Sequence, residues 1–352
     1  MKSPRRQRAF SITELLVAVA LGLILTVGLI TVFTASKQGY RVQESRSRMQ
    51  ESARFALDYL ARAIRLADFW GSGTPGELQA LTLTPFISVS GSPCGPDLQT
   101  GLFANLSEGI RGFDGSQPNR GGMTQNCVST DWIASSDGLM VRYLEPDSVI
   151  ATSATSATDT KSLITSSADE LGATFVRVLS GSKGILFNPG AMDTAFAHPD
   201  FLEPAAGEAR GRIYNYKYRA ELYFLRTNPA GVPALYYSRN QSSGDNLNSI
   251  ATATELVEGV EMMKFEYGLD TDNNGQVNDY RRASEVPNNQ WDNVLSVRIG
   301  LIIRGNERDR FDDGDTYTLP GGFAYTAAAA DRRFQRILVT REVHIRNRTT
   351  IR

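Results

Sequence analysis

The first strong pattern along the chain is an apolar run without charge or proline, Leu15 to Phe33, LLVAVALGLILTVGLITVF. It is apolar on every side, so it offers no polar face to water. As a helix its roughly 19 residues rise ~28 Å, about one hydrocarbon thickness of a bilayer. The pattern then changes without a break. Met49, Ala53, Ala56, Leu60, Ala63 and Ala67 recur at spacings of three and four, while Arg46, Arg48, Arg54, Arg62 and Arg65 take other positions. That spacing makes one apolar stripe on a polar helix. No proline lies between Pro4 and Pro75. The pattern therefore predicts one helix from about Phe10 to Asp68, ~90 Å long, apolar all round in its first half and amphipathic in its second.

Beyond Asp68 the periodicity changes to that of strands. Residues 69–126 are rich in Gly, Pro, Ser and Asn, with short apolar runs such as Ala80–Ser88. A Ser/Thr/Ala-rich stretch, Ala151 to Ala168, reads as a polar surface loop. Gly138–Leu144 and Ala173–Leu179 are short β-type runs. We read residues 69–210 as a loop-rich β region. From residue 211 onward alternation dominates. Tyr214, Tyr216, Tyr218, Ala220, Leu222 and Phe224 share one face, and Pro233–Ser238 follows a turn with Asn228, Pro229 and Gly231, which predicts a hairpin. Val294–Arg304 and Phe334–Arg346 alternate in the same way, with Leu295, Val297, Ile299, Leu301 and Ile303, and Ile337, Val339, Val343 and Ile345, on their apolar faces. A sheet with one apolar face must cover it, and the amphipathic half of the helix has a matching stripe. The fold class expected is α+β: a long N-terminal helix packed on an antiparallel sheet formed by residues 211–352.

Charge and cysteine content refine this picture. The 352 residues carry a formal net charge of −1, so no global basic field points to nucleic acid. The first nine residues nevertheless hold Lys2, Arg5, Arg6 and Arg8 and no acid. The positive-inside rule then favours a cytoplasmic leader and an exported remainder. The only cysteines are Cys94 and Cys127. In an exported chain they suggest one disulfide, which would stabilise by roughly 3–4 kcal/mol in the chain-entropy model; two unpaired buried thiols are the alternative.

Three readings compete for the N-terminus: a secretory signal peptide, a signal anchor, and a processed assembly helix. A signal peptide has a shorter apolar core followed by a small-x-small cleavage site, and an anchor needs only the first half of the helix. The junction Arg-Gln-Arg-Ala followed by Phe10-Ser11-Ile12-Thr13-Glu14-Leu15-Leu16 resembles the leader of type IV pilins and of type II secretion pseudopilins. The resemblance implies cleavage between Ala9 (where Gly is usual) and Phe10 by a prepilin peptidase, with methylation of the new N-terminus. It also makes Glu14 the family's glutamate, which pairs with the Phe10 amine of a neighbouring subunit and sets register. A carboxylate at the edge of an apolar helix is costly to bury without such a partner.

Towards the C-terminus, Leu256-Val257-Glu258-Gly259-Val260-Glu261, the Tyr267-Gly268 turn, Trp291 to Val294, Val297-Arg298-Ile299 and the closing Ile345-Arg346-Asn347-Arg348 resemble the PilW family of minor pilins. The resemblance implies a pilin-like fold with residues 10–36 as membrane span and fibre core. It further implies a role in initiating or capping a type IV pilus, supporting twitching motility and adhesion, with other minor pilins and a candidate tip adhesin as partners. The inner membrane would hold the protein before assembly and the pilus surface afterwards. A minor pseudopilin of type II secretion and a signal-anchored periplasmic domain are the alternatives.

One loop carries candidate chemistry. Asp270, Asp272, Asn274, Gln276 and Asn278, with Gly275 at the turn, resemble the first half of a calcium loop, in which a hard cation takes oxygens at alternate positions. Arg281 stands where the closing glutamate would be. The alternative is a polar hairpin loop, and Ca2+ is the one candidate cofactor. Asp312-Asp313-Gly314-Asp315 is a second acidic turn that could approach it. The only histidines are His198 and His344, and no nucleophile-elbow, zinc-protease, dinucleotide or P-loop motif occurs. We expect no enzyme activity. Lys37, Arg41, Arg46, Arg48 and Arg54 are interleaved with Glu44 and Glu51, the pattern of a solvated helix face rather than of a nucleic-acid interface.

Overall fold

The structure, a computed structural model, describes residues 11–71, 108–117, 132–148, 150–151, 164, 173–179, 183–187, 189–197, 199, 213–239, 241–243, 246–248, 253–308 and 312–349. Packing divides the chain into two units, Met1–Arg48 and Met49–Arg352. One helix, α1 (Ile12–Leu66), belongs to both. In the first unit its apolar side chains are exposed. In the second, Met49, Ala53, Ala56, Leu60, Ala63 and Ala67 are all buried, together with Ala61 and Ile64. The stripe at spacings of three and four is thus the packed face.

Two sheets share the core with this stripe. The first contains β1 (Ile110–Phe113), β2 (Gly138–Leu144), β3 (Ile150–Ala151), β4 (Phe175–Leu179), β5 (Lys183–Phe187) and β6 (Ile213–Thr227). It also contains β7 (Pro233–Arg239) and, beyond the short pair β8 (Gln241–Ser243) and β9 (Asn246–Asn248), β10 (Thr254–Glu258). A five-residue helix, α2 (Met192–Phe196), follows β5. The long strand β6 is the hub, pairing antiparallel with β2, β3, β4 and β7. The β6–β7 hairpin closes at Asn228, whose side-chain oxygen accepts the Ala230 and Val232 amides, with Gly231 at φ 78°.

The second sheet has the order β12 (Asp279–Arg281), β11 (Val260–Leu269), β13 (Val294–Arg308), β16 (Phe334–His344), antiparallel throughout. Its inner face, with Met263, Phe265, Val297, Ile299, Leu301 and Val343, packs in the cluster that holds the α1 stripe. Its outer face, Met262 and Ile302, is covered by the hairpin β14 (Thr316–Leu319) and β15 (Phe323–Thr326). Gly300 permits that cover, because a Cβ there would collide with the Pro320 ring. A last short helix, α3 (Arg346–Thr349), follows β16.

The α+β fold, a long N-terminal helix packed on antiparallel strands, is as expected, and two details of it differ. The border drawn at residues 210/211 does not divide the fold, since β2 and β4, from the region read as loop-rich, are direct neighbours of β6. A single sheet on the helix is also too simple. Ile110, Leu139, Val141, Tyr223 and Leu225 of the first sheet join the α1 cluster, whereas Tyr216, Tyr218, Ala220, Leu222 and Phe224 pack on the opposite side with Trp70 and Trp132. The first sheet is buried on both faces. Local alternation marks one apolar face of β6 but does not reveal that Tyr223 and Leu225 on the other face are covered as well.

Candidate functional site

Ser11 opens α1. Its carbonyl accepts the amides of Glu14 and Leu15 at 3.1 Å each, and its hydroxyl lies 3.3 Å from the Thr13 amide. Serine is a favoured residue at this position because its oxygen serves otherwise orphaned amides. Glu14 therefore sits in the first turn, at the positive end of the helix dipole. Its side chain is exposed, and among the described residues nothing pairs with its carboxylate. From Ile12 to Phe33 the large apolar side chains are exposed; Leu25 keeps 68% of its surface free. This helix is long and apolar enough to cross a membrane. The few hydroxyls in the run are satisfied internally: Thr26 donates to the Gly22 carbonyl and Thr31 to the Gly28 carbonyl, both at 2.7 Å, and Thr34 to that of Ile30 at 2.9 Å. A helix that meets its own polar needs suits lipid or a bundle of like helices. Ala9, Phe10, Cys94 and Cys127 lie outside the described residues.

Within the second unit, the far end of α1 is tied to the chain's last turns. Asp68 takes a left-handed conformation (φ 62°) just past the helix. Its carboxylate accepts the Trp70 indole at 3.0 Å and pairs with Arg348. Arg348 also donates to the carbonyls of Val294, at 2.9 Å, and Trp291. Asn347 donates to the Ala67 carbonyl at 2.9 Å, filling the role of a C-cap for carbonyls that have no partner inside the helix. The closing Asn347-Arg348 of the sequence is therefore a clasp on the helix end.

The loop from Asp270 to Asn278 joins β11 to β12. The Asp270 carboxylate accepts the amides of Asn274 (3.0 Å) and Gly275 (2.8 Å), Asp272 accepts the Asn274 side chain at 3.1 Å, and Asn274 accepts the Gln276 amide at 2.8 Å. Asn278 accepts the Thr271 amide and hydroxyl. The side-chain oxygens of Asp270, Asp272, Asn274 and Asn278, four of the five candidate calcium ligands, thus close the turn on itself, with Gly275 at φ 81°. Among the described residues no group of three or more His, Cys, Asp and Glu side chains is gathered for a metal. In the second acidic turn, Asp313 is instead buried against Arg336 and Tyr317.

One polar constellation has no sequence signature. Asp114, Asp137 and Lys264 meet in the interior, each side chain 5% exposed or less. The Lys264 ammonium lies 2.7 Å from Asp137 Oδ1 and 3.7 Å from Asp114 Oδ1. Asp137 Oδ1 also accepts the Gly115 amide and Oδ2 the Phe265 amide, both at 3.0 Å. Burial pushes the Asp137 carboxyl up despite the lysine beside it. For Asp114 burial also acts upward, but hydrogen bonds from Ser116 and Ser284 and the charge of Lys264 bring it below its usual value. The buried Tyr267 hydroxyl finds no hydrogen-bond partner among the described residues. Charged residues scattered over 150 positions look like surface in the sequence; only the hydrogen bonds of Asp137, just before β2, to Met263 and Phe265 of β11 gather them.

Comparison with known proteins bears on both ends of the chain. Residues 222–347 match the family described as type IV pilus-assembly protein W, and residues 4–30 match the prokaryotic N-terminal methylation motif. No curated protein matches the chain. A solved type IV-like pilin from Thermus thermophilus is similar at 12% identity over 62% of this chain and 83% of its own, with a TM-score of 0.27, too low to carry an argument. The methylation motif covers Glu14 and most of the exposed apolar run, and the pilus-assembly match spans the second sheet and the clasp at Asn347. These two matches support a PilW-family, type IV pilin-like protein, a minor pilin in type IV pilus assembly, over the secretion alternative.

Proposed function

We propose that a prepilin peptidase cuts the chain between Ala9 and Phe10, and that Glu14 then pairs with the freed Phe10 amine of a neighbouring subunit as the helix leaves the inner membrane for the fibre. The observation that carries this reading is the exposed carboxylate in the first turn of a helix whose apolar side chains are bare on all sides. A helix of that kind needs lipid or other helices around it, and a carboxylate entering such surroundings needs a cation. The Met49–Arg352 unit then faces outward with other minor pilins at the initiating or tip complex, where a tip adhesin is a candidate partner. The role is structural rather than enzymatic, and twitching and adhesion depend on it indirectly.

Mass spectrometry of the N-terminal peptide from membrane-extracted protein tests the processing step. The expected first residue is Phe10, methylated; a peptide still beginning at Met1 or Lys2 overturns the proposal. Glu14→Gln tests the pairing. Processing and membrane insertion should be unchanged, while recovery of the protein in sheared pili should fall about tenfold or more, equivalent to about 1.4 kcal/mol of lost pairing.

A further inference from the structure

We propose that Lys264 and Asp137 condense to an intramolecular isopeptide bond, with Asp114 as the group that moves the proton. The three side chains form a buried constellation in the interior of the Met49–Arg352 unit. The amine is held by a hydrogen bond, Nζ to Oδ1 at 2.7 Å, against the carboxyl whose carbon, one bond further on, it would attack; holding reacting groups together in this way is what makes an intramolecular reaction fast. A second carboxylate stands 3.7 Å from the same nitrogen. The Phe323 ring caps the amine at 4.3 Å from its centroid, and Tyr267 closes the site from another side, over a glycine, Gly112, that leaves no room for a Cβ.

Each element has a chemical task. A buried ion pair in apolar surroundings is costly, so passing the proton from Lys264 to Asp137 Oδ1 along their hydrogen bond gives a neutral amine and a neutral acid. The amine is then a nucleophile held against the carbonyl carbon. As the Nζ–Cγ bond forms, negative charge develops on Oδ2, where the Phe265 amide already donates at 3.0 Å, as an oxyanion donor must. Asp114 takes the second proton from the nitrogen and passes it to Oδ1. The Cγ–Oδ1 bond breaks, water leaves, and Asp114 is a carboxylate again. The sum is one ammonium and one carboxylate giving one amide and one water, with no oxidant or cofactor. Proximity is the driving factor, since well-placed intramolecular groups react at effective concentrations of about 10⁵ M or more. The link would tie the start of β2 in the first sheet to the middle of β11 in the second, across 127 residues of chain.

Tryptic mapping of the reduced, full-length protein decides the matter. The expected result is a branched peptide joined through Asp137 and Lys264 and lighter by one water than its two parts, with no cleavage after Lys264. Separate peptides with cleavage after Lys264 in the folded wild-type protein overturn the proposal, whatever the variants do. Asp114→Asn should give folded protein with the two peptides separate, and restoring Asp114 should restore the link. A link that forms equally well in a folded Asp114→Asn protein removes Asp114 from the mechanism and overturns the proposal as stated.

Discussion

The two halves of α1 differ in what they need from their surroundings, although the backbone is the same. From Ile12 to Phe33 the helix carries bulky apolar side chains in every direction, and nothing among the described residues covers them. From Met49 to Ala67 the packed stripe is made largely of alanine, with Met49, Leu60 and Ile64 as its large members, the last two fully buried. The first half displays apolar bulk for an external partner. The second presents a stripe of mostly small residues that strands of the same chain cover, and leaves most of the apolar volume to the strands. A hydrophobic run by itself therefore says little about stability; its meaning depends on whether the same chain supplies the cover.

The comparison is tested most severely at the clasp. Arg348→Ala leaves Asp68 buried without its cation and frees the carbonyls of Trp291 and Val294. Breaking a buried pair in this way costs about 3–5 kcal/mol, so denaturant unfolding of the Met49–Arg352 unit should shift to markedly lower concentrations while membrane insertion is unchanged. Next comes one substitution made in both halves. Leu60→Ala should lower the unfolding free energy by about 2–5 kcal/mol, whereas Leu25→Ala should change it by less than about 0.5 kcal/mol. Equal losses at the two positions would mean that the first half is also covered by its own chain. The smallest effect concerns Glu342. Burial acts to raise its carboxyl, but hydrogen bonds from Tyr280, Ser296 and Arg298 outweigh this and hold it below 4.5. Its contribution to stability is present above that value and lost as pH falls through the folded one. Glu342→Gln should give a small drop in melting temperature at pH 7 that disappears in acid.

Much of this was legible along the chain because helices and half-buried strands leave periodic marks. The stripe from Met49 to Ala67, the alternation in β6, β13 and β16, and the turn at Asn228 each depend on residues a few positions apart. The two-sided burial of the first sheet was not legible. β2 is buried along its whole length, Arg142 included, and its cover comes from distant segments. The constellation of Asp114, Asp137 and Lys264 was hidden for the same reason. The Asp270–Asn278 loop shows a different limit: the oxygens that suit a hard cation also suit the amides of a tight turn, so residue type alone does not separate the two.

The clasp at Asn347 and Arg348 has a consequence for the order of events during synthesis. The helix end at Ala67 and Asp68 is completed by side chains 280 positions later. Such remote closure is slow to find, because the entropy of a long loop must be overcome before the contact can reward it. The ribosome must therefore have passed Arg348 before the early helix can be locked, and until then its apolar stripe from Met49 onward must be shielded from aggregation by other means.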